Sequence, residues 1–259
     1  MSVATDHIDD FIRARSQRPR WVPVPEPHRP RTQVEGYRLQ DAIHGVLARR
    51  GIHRVGYKVG CTSVAGQRSF GLDEPVYAGI FDTSRASTLR EALATPLLAP
   101  MVECEIAFIL ASDIDSTEAL SNVDLRQAIA SAHLACEVVD NRYGTTPVNI
   151  GAPTLLTDDF LHAGFVLGPA NPAWQELPLS MLPGSIEIDG TVHPGSTADV
   201  VTPLDSLHWL ARKLASNGQQ LKAGDIVLSG SLVTPTPIAL PARSVSIAIE
   251  GFGALSLAD

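Results

Sequence analysis

The stretch Met101-Val102-Glu103-Cys104-Glu105-Ile106-Ala107-Phe108-Ile109-Leu110 decides how this chain is read. Pro100 precedes it and the polar run Ser112-Asp113-Ile114-Asp115 follows, so it is bounded as a strand is, and its apolar side chains suit one. Successive strand residues point to opposite faces, which puts Glu103 and Glu105 on one face and Val102, Cys104 and Ile106 on the other. Two carboxylates side by side repel, and removing them from water is costly unless positive charge sits between them. A hard divalent cation such as Mg²⁺ takes oxygen ligands and resolves that conflict. A half-exposed strand with two solvated glutamates is the alternative, and this stretch alone does not separate the two.

The remaining chain narrows the choice. Its 259 residues, 44% hydrophobic and 19% charged, suit a globular protein with a sizeable core. No apolar run approaches the ~18 residues that span a bilayer, so no membrane partner is expected. Met1 to Asp10 holds three aspartates and no apolar core segment, which argues against a secretory signal and against a mitochondrial presequence. The net charge of −8 hides an asymmetry: residues 1–54 carry ten arginines and six acids (+4), and the remainder ten basic and 22 acidic residues (−12). Those arginines are interleaved with prolines and acids rather than clustered, and the body is acidic, so no nucleic-acid partner is expected. The basic segment is expected to pack on its own body or on a neighbouring subunit. Cys61, Cys104 and Cys136 form no C-x-x-C pair and read as reduced, small apolar residues of a cytoplasmic protein.

Taken in order, residues 4–17 predict a short helix with Ile8, Phe11 and Ile12 on one side. Five prolines between Arg18 and Pro30 predict an extended connector. Thr32 caps a second helix that Gly51 ends. Ile52 to Val59 reads as a strand, Val64 to Leu72 as a short helix and Val76 to Phe81 as another strand. A helix is expected from Asp124 to Ala135, feeding a strand Ala135-Cys136-Glu137-Val138-Val139-Asp140, and a further strand is expected over Ala163 to Gly168. Ser185 to Val192 alternates and turns at Asp189-Gly190, a strong hairpin signal. A helix over Pro203 to Asn217 and strands at Ile226, Val245–Ile249 and Ala254–Leu257 complete the chain. Two further residues draw notice. Lys58 lies between apolar residues and glycines, where an ammonium either snorkels out or is lowered among carboxylates, and Glu137 sits among apolar neighbours as a third candidate carboxylate.

Five segments in this order resemble one family: Gly56-Tyr57-Lys58-Val59-Gly60-Cys61-Thr62-Ser63, Val102-Glu103-Cys104-Glu105-Ile106-Ala107-Phe108, Glu137-Val138-Val139-Asp140-Asn141-Arg142-Tyr143, Ala211-Arg212-Lys213-Leu214-Ala215 and Ala223-Gly224-Asp225-Ile226-Val227-Leu228-Ser229-Gly230. Each is weak alone, but together they resemble the 2-keto-4-pentenoate hydratase and 4-oxalocrotonate decarboxylase branch of the fumarylacetoacetate hydrolase superfamily. The resemblance implies an α+β fold, a rolled mixed β-sheet core with flanking helices, with residues 1–54 as a helical arm and 55–259 as the metal-binding catalytic domain. It implies a homo-oligomer and a divalent metal, Mg²⁺ or Mn²⁺, held by Glu103, Glu105 and Glu137. Lys58 would hold developing negative charge or move a proton. Ser229 and Gly230 would contact the substrate's carboxylate, and Arg142 would face the substrate or serve the structure. The substrate implied is a small 2-oxo or 2-hydroxydienoic acid from aromatic-compound catabolism.

The chain also departs from the family. Many hydratases carry Asp-Asn-Ala-x-Asn where this sequence has Asp158-Asp159-Phe160-Leu161-His162, and some have an aspartate where Val76 stands. Asp158 keeps the pattern as a candidate catalytic residue, and His162 becomes a candidate for proton transfer. Phe160 and Leu161 would make a site wall drier, and acids at 158 and 159 would repel a second carboxylate on the substrate. Hydration of a monocarboxylic dienoate is therefore the expected reaction. A 4-oxalocrotonate-type decarboxylase, an acylpyruvate hydrolase and a member without catalytic activity are the alternatives.

Overall fold

The strand read from Met101 to Leu110 runs from Pro100 to Leu110, and its antiparallel partner over that whole length is Ile129–Asp140. The computed structural model describes residues 5–16, 24–114 and 121–258. In chain order the helices are α1 (Thr5–Ser16), α2 (Gln33–Arg49), α3 (Val64–Phe70), α4 (Leu89–Ala94), α5 (Asn122–Gln127), α6 (Pro147–Ile150), α7 (Ala152–Thr157) and α8 (Pro203–Ser216). The strands are β1 (Arg54–Gly60), β2 (Val76–Phe81), β3 (Arg85–Ala86), β4 (Pro100–Leu110), β5 (Ile129–Asp140) and β6 (His162–Ala170). They continue with β7 (Pro183–Ile188), β8 (Thr191–Ser196), β9 (Ile226–Leu228), β10 (Thr236–Pro237), β11 (Val245–Ile249) and β12 (Gly253–Ser256).

One expectation fails here. The helix predicted from Asp124 to Ala135 stops at Gln127, and Ile129 already begins β5. The cause is tertiary. An eleven-residue central strand needs its backbone N–H and C=O groups paired along its length, and a six-residue neighbour would leave half of that side unsatisfied. The small and apolar run from Ile129 to Leu134 fits a helix face or a strand equally well, and the ladder decides. The segment Arg18 to Pro23 of the predicted connector lies outside the described residues. From Val24 onward the connector holds only a short turn at Glu26–His28.

The larger sheet runs β2-β1-β9-β4-β5-β6-β3, with β10 against β4, and it is mixed: β1 lies parallel to β9 and β3 to β6, while the other pairs are antiparallel. A second sheet, β12-β11-β7-β8, contains the hairpin at Asp189-Gly190, whose φ values of 49° and 85° belong to the turn that Asp-Gly favours. Val102, Cys104, Ile106 and Phe108 on β4, with Leu134, Cys136 and Val138 on β5, face the main core alongside Ile186, Ile247, Leu207 and Leu210 from the second sheet and α8. The opposite face is concave. Asp159, next to β6 near one edge, accepts a hydrogen bond from Gly79 N on β2 at the other edge at 2.9 Å. The sheet is thus rolled, and its interior holds a small apolar cluster of Ile80, Ala107, Ala135, Phe165, Ile226 and Leu228.

The basic N-terminal segment docks on its own body. Phe11, Ile12 and Ala14 of α1 pack with Ile43 and Leu47 of α2 and with Phe81 of β2. Helix α2 begins at Thr32, whose side chain accepts from Glu35 N, and crosses α7 closely enough that a Cβ on Gly36 would lie 2.6 Å from Pro153 O. Gln40 adds a buried 2.6 Å hydrogen bond to Leu156 O.

A second close approach sets the position of β1. A Cβ on Gly56 would lie 1.9 Å from the carbonyl oxygen of Ile226 on β9, and backbone atoms on a paired strand cannot move aside cheaply. Gly56→Ala is therefore expected to lower stability by about 2 kcal/mol or more and the Tm by about 4–8 °C. Thermal denaturation followed by circular dichroism checks this, and an unchanged Tm would show that β1 and β9 are less tightly apposed.

Candidate metal centre

The rolled interior brings three carboxylates together. Glu103 on β4 stands directly opposite Glu137 on β5 in the antiparallel register, and Glu105 lies two residues along β4 on the same face. One oxygen from each lies within 4.8 Å of the others. Glu105 and Glu137 are buried and Glu103 is partly buried. Burial, and then repulsion by Glu137, push Glu103 up to about 7. Burial also raises Glu105 well above the usual carboxylate range, with Glu137 and Glu103 adding to it. Glu137 is raised as well, because burial outweighs the lysine beside it.

That lysine is Lys58 from β1. Its Nζ donates to Glu137 Oε1 at 2.6 Å and to the carbonyl of Phe160 at 3.2 Å, and it is buried. Burial pulls its pKa down, but Glu137 and Glu103 pull harder the other way, so the net shift is upward and the group stays an ammonium. The snorkelling alternative is thereby excluded. Ionising all three carboxylates against one ammonium would leave two negative charges in a space of low polarity, which is why their pKa values are raised in the absence of a cation. Gly230 N donates to Glu105 Oε2 at 2.8 Å, yet Glu105 Oε1 is buried without a hydrogen-bond partner among the described residues. An orphaned carboxylate oxygen beside two others, with a charge deficit of two, fits a hard divalent cation.

The segment after α7 closes the site. Asp159, Phe160 and Leu161 have φ of 47°, 49° and 69°, three consecutive non-glycine residues in the left-handed region. Each costs roughly 1–2 kcal/mol, so the surrounding contacts must over-determine the turn. The turn aims the Phe160 carbonyl at Lys58 and sets the Phe160 ring against Phe70 at 5.4 Å between centroids. His162 follows it, with Nδ1 2.9 Å from Glu137 Oε1 and Nε2 2.8 Å from Ser84 Oγ.

Other expected site residues are placed differently. Asp158 is fully buried with both oxygens engaged, Oδ1 by Arg15 Nε at 2.9 Å and Oδ2 by Arg142 Nε at 2.6 Å and the Tyr143 hydroxyl at 3.0 Å. It is an ion-pair hub, and Arg142 serves that hub and the carbonyls of Asp158 and His162 through Nε and Nη2, while its Nη1 is buried without a hydrogen-bond partner among the described residues. Ser229 Oγ donates to Ile106 O at 2.7 Å, and the Gly230 N–H is taken by Glu105, so both residues brace β4 where contact with a substrate carboxylate was expected. The expected repulsion from residues 158 and 159 also falls away. Asp159 meets Arg15 Nη1 at 2.6 Å and His44 Nε2 at 2.9 Å, and although burial alone would raise its pKa, these partners hold it well below the usual carboxylate range. Cys61 is half-buried beside the site with its thiol pushed up to about 12 by burial, so it offers no thiolate.

Arg15, His44, Ser84 and the Phe160 carbonyl were missed in the sequence. Arg15 lies 143 residues from Asp158. Nothing local marks it, beyond being one of ten arginines in a segment whose surplus positive charge had to go somewhere.

No family model matches the chain. It is similar to a 2-keto-4-pentenoate hydratase of Paraburkholderia phymatum, 31% identical over 221 residues, which is 85% of this chain and 83% of that protein. It is also similar to the TodF product hydratase of Pseudomonas putida, 32% identical over 206 residues, 79% of this chain and 75% of that one. Among solved structures, 4-oxalocrotonate decarboxylase from Pseudomonas putida G7, complexed with magnesium and adipate, superposes with a TM-score of 0.76. That likeness extends over 87% of this chain and 85% of the other at 25% identity. With its rolled mixed sheet, its three-glutamate cluster and relatives of this identity and coverage, the chain belongs to the 2-keto-4-pentenoate hydratase family of the fumarylacetoacetate hydrolase superfamily.

Proposed function

We propose that the protein is a metal-dependent hydro-lyase that adds water to a 2-hydroxyalka-2,4-dienoate, giving a 4-hydroxy-2-oxo acid in aromatic-compound catabolism. The observation that carries this reading is the buried cluster of Glu103, Glu105 and Glu137 with Lys58 on Glu137, in a chain whose relatives are hydratases. Glu103, Glu105 and Glu137 would hold a divalent cation, Mg²⁺ or Mn²⁺. When bound it supplies Lewis-acid stabilisation for negative charge on the substrate's C1 carboxylate and C2 oxygen.

The net reaction adds one water. A proton enters at C5 as the 2-hydroxyl loses one, leaving a 2-oxo-3-ene; water oxygen then bonds to C4 and a proton to C3. Lys58, kept charged by Glu137 and Glu103, is the group for donating to the enolate oxygen or moving one of these protons. His162 meets the same Glu137 oxygen that Lys58 engages, with Ser84 on its other nitrogen.

Decarboxylation of an oxalocrotonate-type acid is the second reading, and one observation favours it: the charges of Asp158 and Asp159 are compensated by Arg15 and Arg142, so they would not repel a second substrate carboxylate. Nothing in the site favours an acylpyruvate hydrolase or an inactive member. Residues 1–54 serve in this reading as an arm on a catalytic body of residues 55–259. We place the protein in the cytoplasm; among the described residues no helix is long and apolar enough to cross a membrane. Exposed apolar side chains such as Val64, Met181 and Val192 suit a homo-oligomer, which a monomer in sedimentation would refute.

Three outcomes are expected. Glu105→Gln weakens Mn²⁺ binding by calorimetry on the order of 10²-fold, since it removes the charge of the most enclosed ligand; unchanged affinity would place the metal elsewhere. Lys58→Ala lowers kcat by a factor on the order of 10²–10⁴ with Mn²⁺ affinity retained, and an unaltered rate would remove Lys58 from the chemistry. With Mg²⁺, the wild-type protein converts 2-hydroxypenta-2,4-dienoate into one product that keeps every carbon and gains one water, read by mass spectrometry. Rapid CO₂ release from a 2-oxo-enedioate, with no water added to the monocarboxylic substrate, would select the second reading instead.

A further inference from the structure

The left-handed turn at Asp159–Leu161 has contacts on two sides. On one side Arg142 Nη2 reaches the carbonyls of Asp158 at 3.3 Å and His162 at 3.2 Å, while His44 and Gly79 engage the Asp159 carboxylate. On the other side stands a single guanidinium from α1. Arg15 Nη2 donates to Thr157 O at 2.8 Å, Nε to Asp158 Oδ1 at 2.9 Å, and Nη1 meets Asp159 Oδ2 at 2.6 Å. One planar fork therefore engages three consecutive residues leading into the turn, and among the described residues it is the cation that reaches both acids. The cluster is sheltered, with side-chain exposure of 15% for Arg15, 0% for Asp158 and 2% for Asp159.

The turn in turn holds Lys58. Of the two hydrogen bonds that Lys58 Nζ makes, one goes to Glu137 and the other to the Phe160 carbonyl, at the centre of the three left-handed residues. A left-handed run of non-glycine residues relaxes when its braces are removed, and relaxation would rotate that carbonyl away. Lys58 would then be tethered by Glu137 alone.

We propose that Arg15 is a positioning residue for the site: by holding the Asp159–Leu161 turn it fixes the Phe160 carbonyl that orients Lys58, so the N-terminal helix completes the catalytic apparatus. Its effect on turnover rests on the hydratase reading above; its effect on Lys58 does not. Arg15 touches none of the three glutamates, so metal binding should be insensitive to it. Arg15→Lys supplies one point charge that cannot engage three acceptors at once and should restore only part of what Arg15→Gln loses.

The test compares Arg15→Gln and Arg15→Lys with Arg13→Gln, a control on the same helix whose partner is Asp10. Four quantities are read: kcat and KM, Mn²⁺ affinity, hydrogen exchange over residues 157–162, and the rate at which Lys58 is acylated in the folded protein. Peptide mass spectrometry gives that rate against the other two lysines, Lys213 and Lys222. Arg15→Gln should lower kcat by about 10- to 10²-fold, as misplacement of a catalytic group does, with KM and Mn²⁺ affinity changed less than about threefold. Exchange over 157–162 and acylation of Lys58 should both quicken, while Lys213, Lys222 and the Arg13→Gln control stay at the wild-type level. If Arg15→Gln does not fold, Arg15→Lys carries the same comparison, because it keeps the charge, loses the three-way fork and leaves the His44 and Gly79 contacts of Asp159 in place. Lys58 acylation at the wild-type rate in a folded variant overturns the proposal, as does a fall in kcat that tracks lost Mn²⁺ affinity. A wild-type protein inert on 2-hydroxydienoates would sink the hydratase reading instead, and the exchange and acylation results would still decide the role of Arg15.

Discussion

Glu103 and Glu137 face each other across one rung of the β4–β5 ladder, and most of the site follows from that repulsion. Cross-strand like charges destabilise a sheet even in water. Here they are enclosed, with Glu105 beside them, on the inner face of a rolled sheet. The protein sets Lys58, the Gly230 amide and His162 around them and still leaves Glu105 Oε1 without a partner among the described residues. A fold that keeps such an arrangement is spending stability on function, since burying unbalanced charge costs far more than an apolar pair would. The position of β1 becomes intelligible on the same terms. The Gly56 contact lets β1 approach β9 closely, and two residues later Lys58 points into the cluster.

The same economy shapes the left-handed turn. Backbone strain persists where surrounding groups over-determine it, and the two acids of this turn gather polar partners from α1, α2 and the segment after β5. Asp158 looked like chemistry in the sequence because it keeps the family's motif, and Asp159, a departure from it, looked like a charge that would repel a second substrate carboxylate. In the folded chain they are the anchor points by which distant elements grip the turn, and the group that reaches Lys58 is the Phe160 carbonyl just after them. His162 stands on the boundary, close to Glu137 on one side and to Ser84 on the other.

What the sequence disclosed and what it hid divide along the range of the interactions. The E-x-E face of β4, the Thr32 cap, the Asp189-Gly190 hairpin and Val76–Phe81 were legible because each is encoded within a few residues by periodicity, capping or turn chemistry. Glu137 was legible as a charge among apolar neighbours, but that it faces Glu103 is a matter of register between strands, which no local pattern states. The start of β5 was misread for the related reason that Ile129 to Leu134 carries no decisive period and takes its conformation from β4. Arg15 and His44 lay beyond reach altogether. Their partners are more than a hundred residues away, and only the rolled sheet brings the arm over the turn.

The apparatus shared by hydration and decarboxylation is the part seen most clearly. Both reactions pass through an enolate at the 2-oxygen, and in the proposed mechanism both would use the three glutamates and Lys58. Discrimination must therefore come from groups that meet the far end of the substrate. The two acids that would have repelled a second carboxylate are paired with guanidinium groups, and Arg142, the nearest sequence candidate for attracting one, holds Asp158 through Nε and keeps buried an Nη1 that has no partner among the described residues. Electrostatics near the turn thus neither excludes nor recruits a dicarboxylate, and shape is left to decide. Replacing small polar residues by Phe160 and Leu161 removes hydrogen-bonding groups from the turn and adds apolar bulk, with the Phe160 ring set against Phe70. A remote carboxylate loses water on entering such a place and gains no donor in return. A short apolar tail loses nothing, and on that ground the proposed function takes a monocarboxylic dienoate in preference to its dicarboxylic counterpart.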